Sequence, residues 1–214
     1  MTYQIRPIYL TFLLVPLVLT GCFSLARDEP PQQYYVLGGS ELQQAGDPAE
    51  RLAGLAIGLR RPQLAGYLET PLLVVRQGPH QIRFSEFHRW GEGLGVGVNR
   101  ALAGYLEAQA SFEAVDLVPW PPQSRHDYLI QLHLLRFEGQ VPRGSASSDG
   151  EAYMQATWEI IDPQDGVVLA RGTTDYRADD WRVGDYDGLV TLLDRGLREL
   201  SDDLVAALEK LVGP

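Results

Sequence analysis

The chain has 214 residues, 18 of them basic and 28 acidic, which gives a formal net charge of −10 at pH 7. Its only lysine is Lys210 and its arginines are scattered, so a nucleic-acid backbone would be repelled and a nucleic-acid function is disfavoured. One cysteine allows no disulfide within the chain, so stability must come from a packed core, for which this length suffices.

Residues 1–21 read as a secretory signal: Arg6 near the start, an apolar stretch from Ile8 to Leu19, then small residues. The stretch contains Pro16 and is shorter than the ~20 apolar residues that span a bilayer. It ends in Leu19-Thr20-Gly21-Cys22, which resembles the bacterial lipobox at every position. The expectation is cleavage before Cys22, with diacylglycerol and an N-acyl chain on that residue, so that the protein is anchored to a membrane and does not span it. Removing residues 1–21 takes away Arg6 and no acidic residue, leaving a charge of −11. Phe23 stands where an Asp would signal inner-membrane retention in enteric bacteria, which favours the periplasmic face of the outer membrane.

Residues 22–33, with Pro30-Pro31, suit a lipidated tether, and the domain is expected over 34–214. Tyr34 to Leu37 reads as a first strand closed by Gly38-Gly39, followed by a loop over 40–50. Leu55 to Leu59 alternates as a half-buried strand does, and Leu72 to Val75 suits a buried one. Ile82 to Phe84 adds a small strand. Over 91–109, Leu94, Val98, Leu102, Tyr105 and Leu106 recur at helical spacing. Four glycines at 91, 93, 95 and 97 weaken the first turns, so either the helix starts late or close packing requires small residues.

Asp127 to Phe137 is a strand apolar on both sides, with Ile130, Leu132 and Leu134 on one and Leu129, His133, Leu135 and Phe137 on the other. His133 there is expected to be a hydrogen-bonded core residue. Asp162-Pro163-Gln164-Asp165-Gly166 predicts the turn of a hairpin from Tyr153 to Tyr176. From Gly188 to Val212, leucines at 189, 193, 197, 200, 204, 208 and 211 trace a long amphipathic helix, capped by Asp185 or Asp187. Residues 144–150 form a Gly/Ser-rich connection.

No catalytic signature is present: no Gly-x-Ser-x-Gly elbow, no His-x-x-x-His pair among His80, His88, His126 and His133, and no Walker lysine. Gly93-Leu94-Gly95-Val96-Gly97 lacks dinucleotide-loop spacing, since position 98 is Val. Asp179-Asp180 and Asp202-Asp203 read as solvated carboxylates, and the four tryptophans as core or interface anchors. No catalytic, metal-ligating or cofactor-binding residue is therefore assigned, and the chain is expected not to be an enzyme.

In order and spacing these segments resemble the PqiC-like (YmbA-like) family of ABC-type transport auxiliary lipoproteins. The resemblance is carried by the lipobox, Tyr34 to Leu37, Ile57 to Leu59 with Arg61 to Leu64, Phe87 to Leu94 opening a helix, Tyr128 to Phe137, the hairpin with Trp158, and the last helix. It implies a single α/β domain, a mixed sheet covered by helices in a TolB-N-like αβα sandwich, with a long C-terminal amphipathic helix. It further implies an auxiliary lipoprotein that docks an MCE-domain protein and its transporter subunits to the outer membrane as a homo-oligomer, in lipid transport between membranes. The alternatives from other classes are a periplasmic lipid carrier with its own apolar cavity and an envelope hydrolase.

Overall fold

A computed structural model describes residues 30–39, 50–141 and 149–213. The chain divides into Met1–Pro31 and a compact unit, Gln32–Pro214. Cys22, the signal segment, most of the tether and most of the 40–50 and 144–150 loops lie outside the described residues.

The single α/β domain has, among the described residues, one mixed sheet and two α-helices, as expected. Its strands are β1 (Gln33–Tyr35), β2 (Ala56–Leu59), β3 (Gln63–Leu64), β4 (Leu72–Gln77), β5 (Gln81–Trp90), β6 (Ala114–Leu117), β7 (Tyr128–Val141), β8 (Asp149–Ile161) and β9 (Val168–Arg182). The helices are α1 (Leu94–Gln109) and α2 (Tyr186–Val212).

β7 organises the sheet. One of its edges pairs with β8 from Leu129 to Gln140, antiparallel, and β9 pairs with the far side of β8. The other edge is shared in succession by β2, β3 and β4, all parallel to it. Beyond these lie β6, parallel to β2, then β5, antiparallel to β4, and β1, parallel to β5.

α1 and α2 pack on each other and on one sheet face. Leu189, Leu193, Leu197, Leu200, Leu204 and Leu208 are buried at 0–1 % exposure, so the leucine spacing in the sequence marks the core-facing stripe of α2. They meet Met154, Ala156 and Phe137, which are equally buried. Asp185 caps this helix by accepting a 2.9 Å hydrogen bond from the Gly188 amide. No helix among the described residues is long and apolar enough to cross a membrane.

Four expectations need correction. The small strand at Ile82 to Phe84 is the middle of a ten-residue strand, and Phe87 to Trp90 complete it without opening a helix. The helix itself begins at Leu94, with Gly93 at its cap position, which is the late start expected as one of the two alternatives, because the glycines at 91 and 93 disfavour helical backbone. β2 is buried on both faces rather than half-buried, since it lies between β6 and β7 and Gly58 sits beneath Leu129 and His126.

The fourth concerns β7. A bulge between Leu134 and Arg136 adds one residue and reverses the alternation beyond it. Phe137 therefore joins Ile130, Leu132 and Leu134 on the helix-covered face, at 1 % exposure, and Leu135 is exposed. His133 lies on the opposite face, half-buried beside Thr157, and is not a core residue.

Candidate functional site

Two surfaces stand out: a groove at the head of α1, and a ladder of charged and aromatic side chains on the sheet face that the helices leave uncovered. The groove encloses about 700 Å³. Its walls include Pro62, Leu64, Leu68, Leu94, Val96 and Val118, with Trp90 at the base, packed on Phe137 at 5.8 Å between ring centroids. Gly95 is small because Pro62 presses against it, 3.3 Å from where a Cβ would stand. Close packing thus explains that glycine, and the late helix start explains Gly91 and Gly93. Asn99 underlies the groove and ties α1 to the chain before β3 by donating to the Arg60 carbonyl at 2.9 Å.

The ladder centres on Glu138, a β7 carboxylate with 0 % side-chain exposure. Arg76 of β4 and Arg136 of β7 both donate to it, with nitrogen–oxygen distances of 2.5 and 2.6 Å. Tyr153 of β8 is held between the guanidinium groups of Arg136, at 4.7 Å, and Arg177 of β9, at 3.9 Å, and its hydroxyl donates to Asp175 at 2.9 Å. Burial, followed by that carboxylate, pushes the Tyr153 hydroxyl above the usual tyrosine range. Tyr67 stacks under Arg76, and burial, reinforced by Glu138, pushes its pKa up to about 12. Arg177 also pairs with Glu151 at 3.1 Å, so three guanidinium groups face three carboxylates and the ladder is a cross-strand brace.

The four histidines stay apart. His80 is exposed at the β4–β5 turn, and His126 pairs with Asp116 at 2.8 Å against the edge of Trp120. His88 accepts from or donates to the Tyr35 hydroxyl at 2.9 Å and stacks on Tyr186 at 3.9 Å, and burial lowers its pKa. No cluster of three metal-ligating side chains occurs among the described residues. Asp179 and Asp180 are exposed, Asp203 accepts from Thr174 at 2.6 Å, and Asp202 accepts from Gln109 and is raised in pKa chiefly by burial. Trp90, Trp158 and Trp181 are core residues.

Sequence reasoning did not single out Arg76, Glu138 or Tyr153. The one local signal was Arg136-x-Glu138, two residues apart on a strand and hence on one face.

In fold, the chain is similar to protein XCC0632 of Xanthomonas campestris, with a TM-score of 0.63 and 18 % identity over 74 % of this chain and 86 % of that one. An uncharacterized protein of known structure gives a TM-score of 0.64 at 14 % identity, covering 84 % of this chain and 100 % of the other. A PelC dodecamer from Paraburkholderia phytofirmans gives 0.42 at 14 % identity, over 72 % and 90 %. Among curated proteins, none matches in sequence. Residues 35–205 match the family model described as ABC-type transport auxiliary lipoprotein component, which runs from β1 into α2 and takes in both the groove and the ladder. The chain belongs to the ABC-type transport auxiliary lipoprotein component family.

Proposed function

We propose that the protein is a periplasmic lipoprotein held to the outer membrane through lipid on Cys22, and that it serves as a non-catalytic docking subunit of an MCE/ABC-type lipid transport system. The observation that carries this reading is the family match across residues 35–205. The lipobox at Leu19 to Cys22 supports the anchor, and Phe23 supports the outer membrane. The site geometry agrees with an assembly role: the charged groups on the open face are spent on one another, and the histidines are dispersed. With −11 charges on each mature chain, copies that assemble must offset long-range repulsion with buried apolar contacts and locally paired arginines.

The test is affinity purification of the full-length protein from native membranes after crosslinking, beside a Cys22→Ser variant. The wild type is expected in the outer-membrane fraction with an MCE-domain protein, and the variant in the soluble fraction. Membrane retention of the variant after a carbonate wash overturns the anchor, and recovery without any transporter subunit overturns the docking role.

A further inference from the structure

We propose that the end of the domain formed by β1 and the head of α1 is a membrane-contact surface that rests on a phospholipid bilayer. This rests on the reading of Cys22 as lipidated. The surface is marked by exposed apolar side chains: Tyr34 at 64 % exposure, Val36 at 55 %, Val96 at 63 % and Val118 at 41 %. They belong to one end of the molecule. Tyr34 and Val36, two residues apart in the extended chain, share a face, and Val36 lies 3.1 Å from the Cβ position of Gly91, whose amide donates to the Tyr35 carbonyl at 2.7 Å. On either side of Gly91, Trp90 and Glu92 line the groove that both Val96 and Val118 also line.

The chain leading from the anchor arrives at the same end. β1 begins at Gln33, eleven residues after Cys22, so the lipid lies within about 40 Å of β1 even with the intervening chain fully extended. That is about one domain diameter, so the tether keeps the domain at the membrane without fixing which side faces it. The apolar side chains supply the preference. At −11, the mature chain gains nothing from anionic headgroups by net charge, so contact must come from apolar side chains entering the interface. Tyr34 has the amphipathic ring favoured at that depth, and Arg61, exposed on the groove rim, can meet a phosphate. Elsewhere among the described residues the exposed apolar side chains form smaller groups, Val167 with Leu169 at the start of β9 and Phe84 with Val183, while Leu135 and Val212 stand apart.

The experiment uses the full-length lipidated protein in vesicles of phosphatidylethanolamine and phosphatidylglycerol. Lipid occupies the Cys22 thiol, so an environment-sensitive fluorophore can be placed at Val96→Cys, and in a second preparation at Gln81→Cys. Gln81 is exposed at the far end of β5, nine residues or about 30 Å from Trp90. The label at 96 should shift to the blue on vesicles and be quenched severalfold more by brominated lipid than the label at 81. Equal quenching at the two sites on protein that floats with the vesicles overturns the membrane-contact surface and leaves the anchor standing. A label at 96 that stays in water on vesicles but is shielded when the other envelope proteins are present overturns it in favour of a protein partner. Failure to float overturns the anchor reading and this inference with it.

Discussion

The hydroxyl of Tyr105 on α1 donates a 2.6 Å hydrogen bond to the buried carboxylate of Asp194 on α2, joining the two helices across 89 residues of sequence. The other oxygen of Asp194 accepts from the Gly38 amide at 2.9 Å, so one carboxylate also holds the segment that follows β1. Tyr105→Phe keeps the ring and removes the donor. A hydrogen bond to a charged group is worth about 1.5–3 kcal/mol, so a loss of that size is expected in urea unfolding of the mature chain. An unchanged midpoint would show that the contact contributes nothing net.

Glu138 should be far more sensitive than any other carboxylate on the open face. Its side chain is wholly buried between Arg76 and Arg136, and removing one partner of a buried ion pair leaves uncompensated charge, at a cost of about 3–5 kcal/mol. Glu151, paired with the half-exposed Arg177 at 3.1 Å, is the contrasting case. Glu138→Ala is expected to lower the unfolding free energy by that amount, while Glu151→Ala stays within about 0.5 kcal/mol of wild type. Comparable losses in the two variants would contradict this reading of the ladder.

Local patterns in the sequence match the structure where one element carries its own signal. The leucine stripe of α2 and the Asp-Pro-Gln-Asp-Gly turn of the β8–β9 hairpin are of this kind. β5 extends well past the expected Ile82 to Phe84 because Ser85 to Trp90 show no apolar alternation, their environment being set by β1, β4 and the start of α2. The bulge after Leu134 was invisible, since either phase of an apolar run fits a strand. The ladder was hidden for a different reason: Arg76 and Glu138 are 62 residues apart, and only the parallel β4–β7 pairing brings them together. The lipobox proposed at Leu19 to Cys22 rests on sequence alone, since a processing enzyme would read it as a linear motif.

Trp181 imposes a requirement for glycine on two neighbouring strands. Its indole is 1 % exposed and pinned by a 2.7 Å hydrogen bond to the Asp185 carbonyl, so it cannot swing aside. A Cβ on Gly139 would lie 2.5 Å from the ring and 3.2 Å from Leu189, and one on Gly150 would lie 2.7 Å from the ring and 2.8 Å from the Gln140 carbonyl. Gly139→Ala and Gly150→Ala are each expected to cost about 1–3 kcal/mol through overpacking. Gly66→Ala, where a Cβ meets nothing within 4 Å, should cost nothing. Thermal melts of the three variants decide it, and equal stability at 139 and 66 would mean that Trp181 yields.

Tyr67 sets a limit on stability at high pH. Its hydroxyl donates to the Leu135 carbonyl at 3.1 Å, and burial, then Glu138, hold its pKa at about 12 in the folded chain. In the unfolded chain a tyrosine titrates near 10. Between those values the unfolded state releases a proton that the folded state keeps, so unfolding becomes more favourable as pH rises. The contribution of Tyr67 is therefore complete below about pH 10 and is lost progressively as pH rises towards 12. Tyr35, Tyr153 and Tyr176 are shifted in the same direction, so the informative quantity is the difference between wild type and Tyr67→Phe. Urea midpoints of both, followed from about pH 9 to 12, should fall more steeply for the wild type, and phenolate absorbance near pH 12 should rise less in the variant. Parallel midpoint curves through that window would show that Tyr67 ionises in the folded protein as freely as in the unfolded one.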